Sequence, residues 1–95
     1  MLFAIHALDR DGVTETRALH YEAHKAFLAD AGRHEVAVVM SGPLVSDDGT
    51  RMIGSLFLIE AKDRAIVERF HRADPFHTAG IWQPATITGF HRRQG

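Results

Sequence analysis

An α+β fold of order β-α-β-β-α-β is predicted by three features of the sequence. Four short runs are rich in β-branched and aromatic residues, two stretches repeat apolar residues at helical spacing, and Gly, Asp and Pro separate the segments. The order is the ferredoxin-like or split βαβ pattern. Right-handed crossovers then lay both helices on one face of a four-stranded antiparallel sheet.

The first strand is expected over residues 2–8, LFAIHAL, apolar on both alternating faces except at His6. Turn chemistry at 9–12 ends it. From Thr14 to Ala31 the period changes, and Leu19, Ala23, Phe27 and Ala31 form the expected apolar helical stripe, with Thr14 as N-cap and Gly32 as stop. Arg17, Tyr21, His24 and Leu28 form a second stripe beside it. Residues 36–41, VAVVMS, are the second strand. Residues 42–53 form a long connection turning at Asp47–Asp48–Gly49, and residues 54–60, GSLFLIE, are the third strand. Asp63 reads as the N-cap of a second helix with Ile66, Phe70 and Ala73 on its buried face. Residues 85–91, ATITGFH, close the chain as a fourth strand at a sheet edge.

One domain spanning residues 1–95 is expected from the length. A chain this short buries only about 60–65% of its unfolded surface, so an added interface stabilises it. The face of the sheet away from the helices would be bare yet apolar, roughly 300–400 Å² from strand spacing and rise. That reaches the largest patch normal for a monomer. A homodimer packed sheet to sheet is therefore expected.

Acids and bases are interspersed, with a net charge of −1, and the Arg92–Arg93 pair is not a patch. Phosphate-backbone binding needs concentrated basic surface, so nucleic acid is not an expected partner. The absence of cysteine rules out disulfides, thiolate metal sites and cysteine nucleophiles. No charged n-region precedes the first strand and no apolar run approaches the roughly 20 residues of a spanning helix. A soluble cytoplasmic protein is the expectation, with no membrane partner.

Residues 70–82, FHRADPFHTAGIW, draw the candidate site together. A proline moves the preceding residue out of helical geometry, which puts Asp74 just past a helix end with its carboxylate free. The topology sets Asp74–Phe76, Ser41–Gly42–Pro43 and the part of the first helix carrying His24 at one edge of the domain. An imidazole titrates near neutral pH, and a carboxylate can hold one tautomer of it, so His24 and Asp74 can form an acid–base pair. On residue types alone, the alternative is a partly buried helix histidine and a helix-stop aspartate.

His20 and His24 share a helix face at i,i+4, a spacing used by metal ligands, but a third ligand could come only from a Glu or a distant His, and seven histidines make such a pair cheap. Neither metal nor cofactor is expected. His6 reads as a core or interface histidine. His71 and His77 read as solvated, with His77 the second candidate proton carrier. Tyr21 can donate to a substrate oxygen or simply pack. Phe76 and Trp82 read as packing beneath the turn, with an aromatic substrate wall as the alternative. Ser41 has no base beside it and reads as a strand-end residue, and Gly42 as a close turn.

Five segments together resemble the YciI-like family: MLFAIHALD, EAHKAFL with His24, SGPL at Ser41–Leu44, GSLFLIEA, and ADPFHTAGIW. These are small ferredoxin-like proteins related to muconolactone isomerase and other dimeric α+β barrel proteins. The resemblance spans nearly the whole chain. It implies a dimer, and a His-Asp active centre that maps onto His24 and Asp74. The family's chemistry includes dehydrochlorination of chlorinated hydroquinones. Where the family has an Arg-Pro pair shortly before the helix histidine, this chain has Tyr21–Glu22, and Arg17 is the candidate for the positive charge.

The function expected is a cofactor-free lyase or isomerase acting on an oxygenated cyclic or aromatic small molecule. His24 would be the base, Asp74 its orienting partner, and Tyr21 or Arg17 would steady oxyanion charge. A non-enzymatic dimeric module binding a metabolite or protein through the same cleft is the alternative.

Overall fold

In the computed structural model, which describes residues 1–95, the elements are β1 (Leu2–Leu8), α1 (Thr14–Ala29), β2 (Val36–Val45), β3 (Met52–Ala61), α2 (Arg64–Ala73), α3 (Pro75–Thr78) and β4 (Thr86–Phe90). A 3-10 turn, Ala31–His34, follows α1. The four strands form one antiparallel sheet in the order β2-β3-β1-β4, so β1 and β2 run parallel on either side of β3. This is the α+β arrangement expected from the sequence. No helix is long and apolar enough to cross a membrane.

Alternation along the central strands divides the sheet into two faces. Phe3, Ile5 and Ala7 of β1 and Phe57, Ile59 and Ala61 of β3 point to the helix side, where they pack with Ile66, Val67 and Phe70 of α2 and with Phe76, Ile81 and Trp82. The other face carries Ala4, His6, Leu8, Met40, Leu56, Leu58 and Phe90. Several of these are open, Met40 58% and Phe90 45% exposed. His6 is exposed there, opposite Leu56 on β3 and Thr86 on β4.

Helix α2 starts as its sequence dictates. Asp63 is extended and its Oδ1 accepts the Ile66 amide at 3.0 Å, satisfying a donor the helix leaves open. Its buried face is Ile66, Val67, Phe70 and His71; Ala73 is exposed, contrary to expectation.

Helix α1 departs further. Val13, not Thr14, occupies the N-cap position, and no side chain caps it. The stripe of Leu19 and Ala23 faces solvent, with Leu19 79% exposed. The neighbouring stripe turns inward instead, burying Arg17 and His24 and half-burying Leu28, while Phe27 and Ala31 of the expected stripe do pack against the core. Burial of such polar groups is costly unless each finds partners. Both find them, as described below.

Strand β2 runs ten residues, through Ser41–Gly42–Pro43, and not the shorter 36–41 expected. Pairing continues from Val36 opposite Ala61 to Val45 opposite Met52, with irregularities at Val38/Met40 and Leu44/Val45. A proline is tolerated because β2 is an edge strand. The connection is therefore only residues 46–51, closed by Asp48 accepting from Ser46 Oγ, Thr50 N and Thr50 Oγ1. Those bonds, the Ser46 hydroxyl first, lower the Asp48 pKa to about 2.

Candidate active site

Three structural features converge between α1 and the β2–β3 end of the sheet. The first is the Asp-Pro step. Asp74 has φ −63 and ψ 131, the extended geometry a following proline imposes, and it ends α2 while starting α3. The sequence predicts a free carboxylate here, but Asp74 is buried, only 1% exposed. Oδ1 accepts the Phe76 amide at 2.9 Å and lies 2.8 Å from His24 Nδ1. A carboxylate only accepts, so in this pairing Nδ1 carries a proton, and in the neutral imidazole Nε2 is then the atom with the lone pair.

The second is the aromatic bed beneath the imidazole. The Phe76 ring stacks on His24 at 4.0 Å between centroids and 4° between planes, while Trp82 and Phe57 meet His24 edge-on. Phe76 thus fixes the plane of the imidazole with its ring and the carboxylate with its amide. It is fully buried and does not line the pocket, so the packing reading describes it.

The third is Arg17, 8% exposed. Nε donates to Asp9 Oδ2 at 3.1 Å, while Nη2 donates to Gly54 O at 2.7 Å and Ser55 Oγ at 2.8 Å. Its guanidinium carbon sits 4.9 Å from the Phe76 centroid. Glycine is required at 54 because a Cβ there would run into the Ala7 carbonyl oxygen. Arg17 therefore stitches α1 to Asp9, just past the end of β1, and to β3, and most of its donors are engaged before any ligand arrives.

A pocket of about 240 Å³ opens over these groups. His24, Tyr21 and Lys25 line it from α1, Ser41 and Gly42 from β2, and Ser55 and Phe57 from β3. Lys25 Nζ lies 5.3 Å from the Tyr21 ring centroid, with Glu22 3.8 Å away. His77 is exposed and lies outside this pocket, its ring 5.1 Å from that of His71. His71 is buried, not solvated as expected, stacked on Trp82 at 5.1 Å and 13°. Burial, then the neighbouring His77 and Arg72, hold its pKa below the ordinary imidazole value, with Asp74 opposing. No three His, Asp or Glu side chains gather to hold a metal ion.

Lys25, Ser55 and Asp9 were not singled out by the sequence reading. Ser55 was detectable as the lone hydroxyl in an apolar strand, and Lys25 as the i,i+4 neighbour of Tyr21. Asp9 read only as a turn residue because its partner Arg17 lies in another element.

The sequence matches the YCII-related domain over residues 1–91. The chain belongs to that family. Among solved structures, this YCII-related protein is similar to the 5-chloro-2-hydroxyhydroquinone dehydrochlorinase of Burkholderia phenoliruptrix AC1100, in complex with 2,5-dihydroxybenzoquinone. The TM-score is 0.83 at 29% identity, covering 96% of this chain and 94% of that one. The Arabidopsis thaliana protein At3g17210 shares the fold, with a TM-score of 0.55 at 15% identity over 99% of this chain and 96% of that one. No curated protein matches the YCII-related chain.

Proposed function

We propose that this protein is a cofactor-free lyase or isomerase acting on a hydroxylated six-membered ring, with His24 as the proton carrier. The 2.8 Å pairing of His24 Nδ1 with a buried carboxylate, beside an open pocket, is the observation that carries this reading. Its volume lies below the range of about 300–1,000 Å³ usual for drug-sized ligands, which suits a single ring. Likeness to a dehydrochlorinase in complex with a dihydroxybenzoquinone supports the same ligand class.

The chemistry balances without an oxidant. Nε2 of His24 takes a ring-hydroxyl proton and returns it to a ring carbon, giving the keto tautomer; that step alone is an isomerisation. Where the carbon bears a halogen, the C–X electron pair then departs as halide while a second hydroxyl gives up its proton. The net loss is HX. Asp74 stabilises the transient imidazolium and Phe76 keeps its plane. Oxyanion charge falls to Tyr21 and Lys25, since the donors of Arg17 are largely occupied.

Chloride release from 5-chloro-2-hydroxyhydroquinone tests the assignment. His24→Gln should lower the rate by about 10²-fold or more, the usual contribution of a positioned base, with melting little changed. Unchanged turnover would remove His24 from the reaction. A wild-type protein that releases no chloride, yet binds 2,5-dihydroxybenzoquinone equally well with and without the imidazole, would support the binding-module alternative.

The open face of the sheet, with Met40, Leu56 and Phe90 exposed, fits a second copy of this chain as its cover. Only 20 of 95 residues are buried in the single chain, so such an interface would add substantially to the buried apolar surface.

A further inference from the structure

A second cleft, of about 670 Å³, lies beside the His24 pocket and shares Arg17, Tyr21 and Met52 with it. Its remaining walls are Thr14 and Ala18 from the start of α1, Thr50 and Arg51 from the β2–β3 connection, and Asp9. The charges in it do not cancel. Asp9 and Arg17 neutralise one another through their 3.1 Å ion pair. Arg51 makes no ion pair, and none of its side-chain nitrogens donates within the protein. The cleft is left with one net positive charge, and Thr14 and Tyr21, both hydroxyl-bearing residues, are among its lining residues.

A guanidinium whose planar fork has no protein partner matches a carboxylate in geometry as well as charge. We propose that this cleft is a second subsite, in which Arg51 receives the carboxylate arm of a ring substrate seated against His24. The inference rests on the ring-binding reading of the first pocket and narrows its substrate class to hydroxylated rings bearing an acidic side chain. Arg17, Tyr21 and Met52 border both compartments.

Isothermal titration calorimetry with two probes reads this directly: 2,5-dihydroxyphenylacetate, and 2,5-dihydroxytoluene, its uncharged counterpart. The ratio of their affinities is the quantity of interest. In the wild-type protein the acid should bind about tenfold tighter or more, the least expected of a hydrogen bond to a charged group. Arg51→Gln should bring the ratio within about twofold of one, and Arg51→Lys should restore part of it. Arg51 is exposed, so its replacement leaves the fold intact.

Equal affinities in the wild type, weaker or undetectable binding of the acid, or a preference that persists in Arg51→Gln would each overturn the subsite. Failure here is separable from failure of the proton-carrier assignment. Slow chloride release in His24→Gln with no preference for the acid removes the subsite and leaves the base. A preference lost in Arg51→Gln, with His24→Gln turning over normally, does the reverse.

Discussion

His24 Nδ1 and Asp74 Oδ1 meet at 2.8 Å across fifty residues of chain, the imidazole projecting from α1 and the carboxylate held at the junction of α2 and α3. The same oxygen accepts the Phe76 amide, so one atom both starts a helix and orients the His24 imidazole. Asp74→Asn separates these roles. An asparagine is as good an N-cap, but its amide can present either a donor or an acceptor to the imidazole. Turnover should fall by about 10²-fold or more while melting shifts by no more than a few degrees. A rate within twofold of wild type would show that the carboxylate has no part in proton transfer.

Arg17 makes a different prediction, about stability. Removing one partner of a buried pair leaves an uncompensated charge and costs about 3–5 kcal/mol. Arg17→Ala should therefore destabilise the protein strongly in urea unfolding, since Asp9, Gly54 O and Ser55 Oγ all lose their donor. In Arg17→Met combined with Asp9→Leu, much of that loss should be recovered, because no orphan charge remains. Additive losses in the double variant would mean that Asp9 and Arg17 are not energetically coupled.

The limits of sequence reading show in α1. The strands, the helix α2 and its Asp63 cap are written in local signals: alternation, helical period, and an acid three residues before an amide that needs an acceptor. The buried face of α1 is not local. Leu19 and Ala23 satisfy a hydrophobic template, yet the inward face belongs to Arg17 and His24, whose partners come from the turn after β1, from β3 and from the α2–α3 junction. No window along the helix contains those partners. Strand β2 misled for a related reason: Gly42–Pro43 reads as a loop unless the strand is known to be an edge. Extended geometry at Asp74, by contrast, followed from Pro75 alone.

Burial of His71 gives the protein a built-in acid sensitivity. In the unfolded chain this imidazole titrates near the ordinary value of about 6.5, whereas burial lowers it in the native state. Between those two values the unfolded state binds a proton that the native state does not, so stability falls as pH falls. The contribution is complete above about pH 6.5 and is lost progressively below it. Phenylalanine at 71 keeps the stack on Trp82 and removes the titration. His71→Phe should flatten the pH dependence of urea unfolding below pH 6.5, by up to about 1.4 kcal/mol per pH unit for one proton. An unaltered slope would assign that acid sensitivity to other groups.

The bare face of the sheet supplies the last prediction. Leu56 sits on the central strand β3, opposite His6, on the side away from the helices, with Met40 and Phe90 exposed on the flanking strands. Exposed apolar side chains of this kind are unfavourable in water, and sheet-on-sheet packing at about 10 Å would remove them from solvent in two copies at once. Gel filtration should then give twice the mass of the 10.6 kDa chain at micromolar concentration. Leu56→Glu places a charge at the centre of that face without touching the helix-side core or the His24 pocket, and should shift the protein to monomer. Elution of the wild type as a single chain at millimolar concentration would show that the face stays open to solvent. A dimer that survives Leu56→Glu would place the contact on another surface.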